Sequence, residues 1–219
     1  MADILTGSVR DYLEQLASAE PAPGGGSAAG FAGAMGAALL CMSARFTIGR
    51  DKYAAFEEQA SSVLLEAEVL RAELQQLTAD DAAAYGAYRA ATALPKTTDE
   101  EKTVRQRAIQ AATHIAGEVP LAIARKCVRL LTLAGLLADH CNPYLVSDVI
   151  VATHNAMAGF NSAMINVRMN QGALIDATLA QTWGDELSVL VTAAPALARA
   201  ALVASYQVLQ LPIEGDLPL

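Results

Sequence analysis

The sequence predicts an all-α protein, a multihelical bundle with long antiparallel helices in a single domain over residues 1–219. Alanine, which has the highest helix propensity, is the commonest residue, and no stretch alternates apolar and polar residues as a half-buried strand does. Between positions 53 and 77 apolar residues recur every three or four residues, which is the period of a helix that faces a partner. No linker or internal repeat divides the chain.

The N-terminal part predicts a short helix, a loop and a second helix of small residues. Ser8 begins a capping box before the first amphipathic segment, and Pro21 and Pro23 end that helix. The glycines at 24–26 are poorly suited to continue it, so Ser27 is the predicted N-cap of the next helix. Alanine and glycine recur four residues apart in that helix, which allows another helix to pack closely against it.

The longest predicted helix carries a seam of eight apolar residues: Tyr53, Phe56, Ala60, Val63, Ala67, Leu70, Leu74 and Leu77. The next position of the seam is Asp81, whereas Asp80 points away from it. Burial of an unpaired carboxylate is unfavourable and raises its pKa. Asp81 is therefore either a proton-transfer group or a buried aspartate that bonds to an arginine or a helix N-terminus.

Further helices are predicted in the second half of the chain. Thr98 begins a capping box, and its helix runs to about Val119, where Pro120 breaks or kinks it before a second apolar helix. Ser147 is the predicted N-cap of the next helix. Pro195 is expected to break or kink the last helical segment.

The helix after Ser147 lacks charged residues between positions 149 and 167, as expected for a helix that is buried on nearly all sides. A polar stripe nevertheless follows one of its faces: Asp148, Asn155, Ser162 and Asn166. Buried amides need hydrogen-bond partners. These side chains either bond to one another and to nearby backbone, or line a cleft that recognises a polar heterocycle.

Composition argues against several classes of function. A net charge of −8 without a basic tract is unsuited to nucleic-acid binding. The N-terminus does not resemble a signal peptide, and the apolar run at 28–42 is shorter than the roughly 20 residues that span a membrane. Three cysteines without a CxxC pair favour a reducing compartment, so we expect a cytoplasmic protein without membrane contact. The three histidines have no metal-ligand spacing, and no metal is expected.

The glycine run at 24–26 differs from known nucleotide-binding loops. It lacks the lysine of the GxxxxGK[ST] motif, and no predicted strand precedes it. The run is either an interhelical turn or a set of backbone N–H groups at a helix N-terminus, where an anion or dipole can bind.

Five segments together resemble the C-terminal family of formiminotransferase-cyclodeaminase: SAEPAPGGGSAAGFAGAMGAALLCM, TIGRDKY, LTADDAAAY, LPKTTDEEK and NPYLVSDVIVA with NSAMINVRMN. The resemblance covers about residues 5 to 170. The family contains formimidoyltetrahydrofolate cyclodeaminases and stand-alone methenyltetrahydrofolate cyclohydrolases. The Asp80–Asp81 pair is more similar to the cyclohydrolases, and these 219 residues show no formiminotransferase domain, so we expect a cyclohydrolase.

The resemblance implies a helical bundle, expected to be a homodimer, that binds a reduced folate without a metal or other cofactor. It also implies that Asp81 is the catalytic residue. Together with the polar stripe, the positions that match family motifs form the expected substrate-binding set: Pro23, Gly24, Gly25, Gly26, Ser27, Lys52, Lys96, Asn142, Asp148, Asn155 and Asn166.

Both reactions of the family need a carboxylate that moves a proton beside a delocalised cation. In the cyclohydrolase reaction water attacks the amidinium carbon of 5,10-methenyltetrahydrofolate, and in the cyclodeaminase reaction N10 attacks the formimino carbon and ammonia leaves. A non-catalytic folate-binding bundle is the remaining alternative. Lys52 and Lys96 are expected to hold the glutamate tail, because a mobile ammonium can follow a flexible anion.

Overall fold

The computed structural model describes residues 6–213, and within that range the chain forms α-helices, two 3₁₀ helices and no strand. The helices are α1 (Val9–Leu16), α2 (Gly25–Arg45), α3 (Glu57–Thr92), α4 (Asp99–Leu137), α5 (Val146–Gln171) and α6 (Ala177–Val208). The 3₁₀ helices are Asp51–Phe56, before α3, and Pro143–Leu145, before α5. The predicted all-α class is confirmed.

The four central helices, α2 to α5, pack side by side in antiparallel pairs. Ion pairs join α3 to α4 in opposite directions, Glu66 with Arg129 and Glu73 with Lys126. These pairs are exposed, so each contributes at most about 1 kcal/mol. The last helix, α6, lies against α4 and α5. This arrangement places the N-terminus of α2, the second half of α3 and the C-terminus of α5 at one end of the bundle.

Close backbone contact explains the small residues of α2. A Cβ atom at Gly33 would lie 2.9 Å from the Cys127 sulfur, and one at Gly159 would lie 3.0 Å from the carbonyl oxygen of Ala29. Cβ atoms do not approach other atoms so closely, so α2, α4 and α5 can meet at this distance only with glycine at both positions. The prediction that α2 packs closely against other helices is confirmed.

The predicted seam of α3 forms much of the hydrophobic core. Five of its residues are fully or almost fully buried: Ala60, Val63, Ala67, Leu70 and Leu74. Tyr53 and Phe56 belong to the preceding 3₁₀ helix, so α3 begins at Glu57 rather than at Tyr53. The single tryptophan, Trp183 on α6, is also buried and its indole N–H donates to the Glu118 carboxylate at 2.7 Å.

Two predicted N-caps are wrong, whereas those at Ser8 and Thr98 are confirmed as complete capping boxes. Helix α2 begins at Gly25 with Gly24 as its N-cap, so Ser27 lies inside the first turn and is buried. Helix α5 begins at Val146, because the 3₁₀ helix before it leads directly into the first α-helical turn.

Helix α4 continues through Pro120 from Asp99 to Leu137, so the proline does not break it, and the predicted second apolar helix is part of the same helix. Pro195 likewise lies inside α6. Proline removes one backbone hydrogen bond and crowds the preceding turn. Buried residues lie on both sides of each proline, Val119 and Leu121 next to Pro120, and Ala194 and Ala198 around Pro195, so packing can offset that loss.

Helix α5 is less buried than its composition predicts. Its outer side exposes apolar residues, with 47% of Val151, 54% of Ile165 and 72% of Met169 accessible to solvent. The absence of charged residues therefore does not mean that α5 is buried on all sides. One face is buried in the bundle, and the other is exposed but uncharged.

Two helices, α2 and α6, are long and apolar enough to cross a membrane by length and composition. The apolar part of α2 is 61% buried inside the bundle, and that of α6 is 28% buried. The packing of α2 against α3 and α5 accounts for its apolar composition.

Candidate active site

Asp81 lies on α3 where the first turn of α2 crosses it. The backbone N–H of Ser27 donates a hydrogen bond to the Asp81 carboxylate. Burial raises the pKa of Asp81 above its ordinary value, and this hydrogen bond lowers it to a smaller extent. The carboxylate thus bonds to a helix N-terminus, as one of the two sequence interpretations has it, and its pKa is nevertheless raised; the proton-transfer role remains a proposal.

Gly26 makes this approach possible. A Cβ atom at position 26 would lie only 2.1 Å from Oδ1 of Asp81 and within 3 Å of its other carboxylate atoms. Any other residue at this position would displace the carboxylate. The glycine run thus provides space and N–H groups for an acidic side chain of the protein itself.

A cavity of about 460 Å³, hereafter the first cavity, opens beside Asp81. It lies between the start of α2, the second half of α3, α4 and the end of α5. Its lining combines backbone, amide, hydroxyl and aromatic groups: Pro21, Ala22, Gly24, Gly25, Gly26, Asp81, Tyr85, Tyr88, Thr113, Ala116, Asn166, Met169, Asn170 and Ala173. Such a mixture suits a flat polar molecule.

The first cavity brings together the predicted catalytic residue, Asp81, and part of the predicted substrate-binding set, namely residues 24–26 and Asn166. The Asn166 side-chain N–H group donates to the Ser162 carbonyl at 2.9 Å. Pro23 is buried directly before these glycines, and the Ala22–Pro23 peptide bond is cis.

Several other predicted residues lie far from the first cavity in the same protomer. Lys52 and Asn142 lie at the opposite end of α3, where the Tyr53 hydroxyl donates to the Asn142 side-chain oxygen at 3.2 Å. The 24 residues from Glu57 to Asp81 span about 36 Å of helix. Lys96 is exposed in the segment between α3 and α4.

The polar stripe of α5 does not form one cleft, which corrects that interpretation. From Asp148 to Asn166 the helix rises about 27 Å, so only its last member reaches the first cavity. The side-chain N–H group of Asn155 donates to the Val151 carbonyl of the same helix at 2.9 Å, midway along the bundle. The simpler interpretation, amides bonded to nearby backbone, holds for Asn155.

Sequence reasoning missed residues on both sides of Asp81. Tyr85 follows Asp81 by four residues, so helical spacing could have placed it on the same face. Asn170 follows Asn166 by four residues, and its side-chain N–H groups donate to the carbonyls of Ala116 and Asn166.

No local sequence pattern indicates a role for Tyr12 on α1, because its contact with Ser27 joins two different helices. Its hydroxyl lies 3.3 Å from the Ser27 hydroxyl, and both residues are buried. Burial raises the pKa of Tyr12, with smaller contributions from Ser27, which lowers it, and from the nearby Asp81 carboxylate, which raises it. Tyr12 and Ser27 thus pack behind the first turn of α2, whose backbone N–H binds the Asp81 carboxylate.

Within residues 6–213, no group of three or more His, Cys, Asp or Glu side chains is placed to hold a metal ion. What the described residues do form is a carboxylic acid of raised pKa beside a polar and aromatic cavity, in an antiparallel helical bundle. These features define a helical protein with a site suited to proton transfer on a bound heterocycle.

Comparison with known proteins gives the family. The family model for formiminotransferase-cyclodeaminase matches residues 8–189. The chain is also 43% identical to the methenyltetrahydrofolate cyclohydrolase of Methylorubrum extorquens over 190 residues, which are 87% of this chain and 91% of that protein. This chain therefore belongs to the formiminotransferase-cyclodeaminase family, and the resemblance noted from its motifs is confirmed.

Other relatives are larger or more distant. The formimidoyltransferase-cyclodeaminase of Rattus norvegicus is 31% identical over 200 residues, which are 91% of this chain but only 37% of the rat protein. The crystal structure of formiminotetrahydrofolate cyclodeaminase from Thermotoga maritima superimposes with a TM-score of 0.85 over 94% of this chain and 100% of that one, at 24% identity. This likeness supports the same helical fold.

Proposed function

We propose that this protein is a methenyltetrahydrofolate cyclohydrolase, which hydrolyses 5,10-methenyltetrahydrofolate to 10-formyltetrahydrofolate. The observation that carries the proposal is Asp81, an acid of raised pKa that faces a cavity large enough for a pterin. The 43% identity to a cyclohydrolase over most of both chains supports the same reaction.

Asp81 is proposed as the general base and then the general acid. As water attacks the amidinium carbon, the Asp81 carboxylate takes a water proton, and a neutral carbinolamine forms. Asp81 then protonates N5 as the carbon–N5 bond breaks, while the carbinol hydroxyl loses its proton and becomes the formyl carbonyl. Hydrolysis of the cation by one water thus yields 10-formyltetrahydrofolate and one proton.

The charge of the substrate assists both steps. A bound methenyl cation lowers the pKa of a nearby carboxyl group, so Asp81 is ionised when a base is needed. Addition of water removes the positive charge, and burial then dominates and raises the pKa again. The same side chain becomes a better acid when N5 needs a proton.

The first cavity supplies groups for binding the pterin. Asn166, Asn170 and Thr113 offer polar atoms at one wall, and Tyr85 and Tyr88 offer aromatic surface at another. Ser27 remains part of the proposed site because its backbone N–H group orients the Asp81 carboxylate. No metal or other cofactor is part of this mechanism.

The decisive experiment is a parallel assay of the purified protein with two substrates. We expect loss of methenyltetrahydrofolate absorbance faster than the spontaneous rate, unchanged by EDTA. Activity that EDTA abolishes and zinc restores would contradict the metal-free mechanism. Faster ammonia release from formimidoyltetrahydrofolate would identify a cyclodeaminase, the activity named for the rat relative. Folate binding without turnover in either assay would leave a non-catalytic binding protein.

A homodimer is proposed on the shared outer face of α2 and α5. Helix α2 carries no charged residue before Arg45, and α5 carries none between positions 149 and 167, although the chain has a net charge of −8. Met35, Val151 and Ile165 are exposed on these helices. An uncharged apolar face of this length is typical of a contact with another protein surface.

The spacing on α5 favours antiparallel pairing with a second copy. Val151, Ala158 and Ile165 are seven residues apart, and Ala158 is exposed at the centre. A two-fold axis near Ala158 would pair Val151 with the partner subunit's Ile165. The end that carries Lys52 and Asn142 would then lie next to the first cavity of the partner, where both residues remain proposed substrate contacts.

Sedimentation equilibrium tests the dimer. Ile165→Glu places a charge on the proposed interface and should raise the dimer dissociation constant at least about tenfold, a loss of about 1.4 kcal/mol. The matched control is Val189→Glu on the outer side of α6, where the residue is 68% exposed. Equal behaviour of both variants, or a monomeric wild type at micromolar concentration, would contradict this interface.

A further inference from the structure

A second cavity, of about 450 Å³, adjoins the first. It is lined by Gln15, Ser18, Glu20, Pro21, Ala22, Tyr85, Gly86 and Arg89. Pro21, Ala22 and Tyr85 line both cavities, so the two spaces meet across the same three residues. A ligand longer than the first cavity can therefore extend past Tyr85 into the second.

Among residues 6–213, Arg89 is the only basic residue in the lining of either cavity, and it forms no ion pair within that range. The nearby arginine on α4, Arg105, donates instead to the Thr92 carbonyl at 3.2 Å. Arg89 follows Asp81 by eight residues on α3, a rise of about 12 Å along the helix. Tyr85 lies halfway between them and is 40% exposed.

These distances fit the chemistry of a reduced folate. Its aminobenzoyl group and amide bond place the first glutamate carboxylate on the order of 10 Å from N10, from ordinary bond lengths. A guanidinium group binds a carboxylate through two parallel hydrogen bonds, and a tyrosine ring packs well against a benzoyl ring.

We propose that the second cavity binds the aminobenzoylglutamate part of the substrate and that Arg89 pairs with the α-carboxylate of its first glutamate. This inference rests on the proposed function, because it takes the reduced folate as the ligand. The benzoyl ring lies over Tyr85, so Tyr85 separates the reacting pterin from the tail.

Two neighbouring charges set how strongly the tail binds. Glu20 lines the same cavity and repels an anionic tail. Lys96 follows Arg89 by seven residues, beyond the end of α3, and contacts the further glutamates of a longer tail. Lys96 therefore matters for polyglutamylated substrate alone, whereas Arg89 matters for every substrate that carries a glutamate.

Kinetics with two substrates test Arg89. The first is monoglutamyl 5,10-methenyltetrahydrofolate, and the second is the corresponding pteroyl amide, which lacks the glutamate. Arg89→Ala should raise KM for the first about tenfold or more, since the glutamate carboxylate loses its hydrogen bonds to a charged group. It should leave KM for the amide and kcat for both unchanged, and Arg89→Lys should restore part of the loss.

Control variants sharpen the result. Arg107→Ala removes an exposed arginine on the outer side of α4 and should change nothing. Glu20→Gln should lower KM for the glutamyl substrate only. An unchanged KM in Arg89→Ala, or an equal rise for both substrates, would overturn the proposal.

Binding measurements separate this inference from the proposed reaction. If the wild type turns over neither substrate, the proposed function fails, and the dissociation constants of tetrahydrofolate and of its pteroyl amide are compared instead. Tighter binding of tetrahydrofolate, lost in Arg89→Ala, would still support the tail site. Equal binding of the two ligands by the wild type would overturn it.

Discussion

Polar side chains have different surroundings at the two ends of the helical bundle. At the end that carries Lys52, polar and aromatic groups bond to one another: Tyr53 bonds to Asn142, the Asn142 N–H bonds to the Thr47 hydroxyl at 3.0 Å, and Phe56 stacks on His140. At the other end, the Asp81 carboxylate accepts a hydrogen bond from the Ser27 backbone N–H and faces a cavity. Side chains that satisfy one another hold a fold together, whereas a charged group that faces open space is available to a ligand.

Asp81→Asn should have the largest effect on activity. Loss of a general acid and base typically lowers turnover about 100- to 10,000-fold, and we expect kcat to fall in that range while the protein still folds. Asp80→Asn is the matched control, because the Asp80 carboxylate accepts a hydrogen bond from Gln76 on the outer side of α3. Equal loss of kcat in both variants would refute the assignment of Asp81.

Gly26→Ala should have the next largest effect. The added methyl group must displace the Asp81 carboxylate, since it would otherwise lie 2.1 Å from Oδ1. A shift of about 1 Å in a catalytic group can reduce the rate about 100-fold, and kcat measures it. Gly135→Ala on α4 is the control, because its Cβ atom would have no heavy atom within 4 Å. A fully active Gly26→Ala protein would show that the position of Asp81 is not critical.

Stability should change in the opposite direction to activity at Asp81. Burial raises the pKa of Asp81 in the folded state, so the folded protein binds this proton more tightly than the unfolded chain. Stability therefore falls as pH rises from the unfolded pKa through the folded pKa. Asp81→Asn removes this penalty and should raise the thermal midpoint at pH 7.

Thermal unfolding at several pH values checks the effect. The difference in midpoint between Asp81→Asn and the wild type should disappear below the ordinary aspartate pKa, where the wild-type carboxyl group is protonated in both states. A less stable Asp81→Asn protein at pH 7 would mean that the ionised carboxylate stabilises the fold.

Tyr53→Phe, at the opposite end, should have the smallest effect. It removes the hydrogen bond to Asn142, so the free energy of unfolding should fall by about 0.5–1.5 kcal/mol, which chemical denaturation measures. Because Asn142 is proposed to contact the substrate in the first cavity of the partner, KM should rise slightly, whereas kcat should remain that of the wild type. A large loss of kcat would show that this end takes part in the chemistry and not only in binding.

Local patterns predicted some features of this molecule well. The helical period alone indicated that Asp81 continues the α3 seam, and both capping boxes depend on residues three apart. Contacts between distant segments were beyond such reasoning. Nothing local to Ser27 shows that α2 begins two residues earlier, or that Tyr12 bonds to Ser27 from another helix. The break predicted at Pro120 does not occur, because tertiary packing along α4 outweighs the local preference of proline.

The buried contact of Trp183 has an optical consequence. A Cβ atom at Gly117 would overlap the indole ring, so the ring lies directly against the α4 backbone, next to Ala116 in the wall of the first cavity. As the single tryptophan of the chain, Trp183 is the dominant source of ultraviolet emission. Its dry surroundings should give short-wavelength fluorescence that shifts to the red when water reaches it. The unfolding of each variant can therefore be measured by its intrinsic tryptophan fluorescence, without an attached dye.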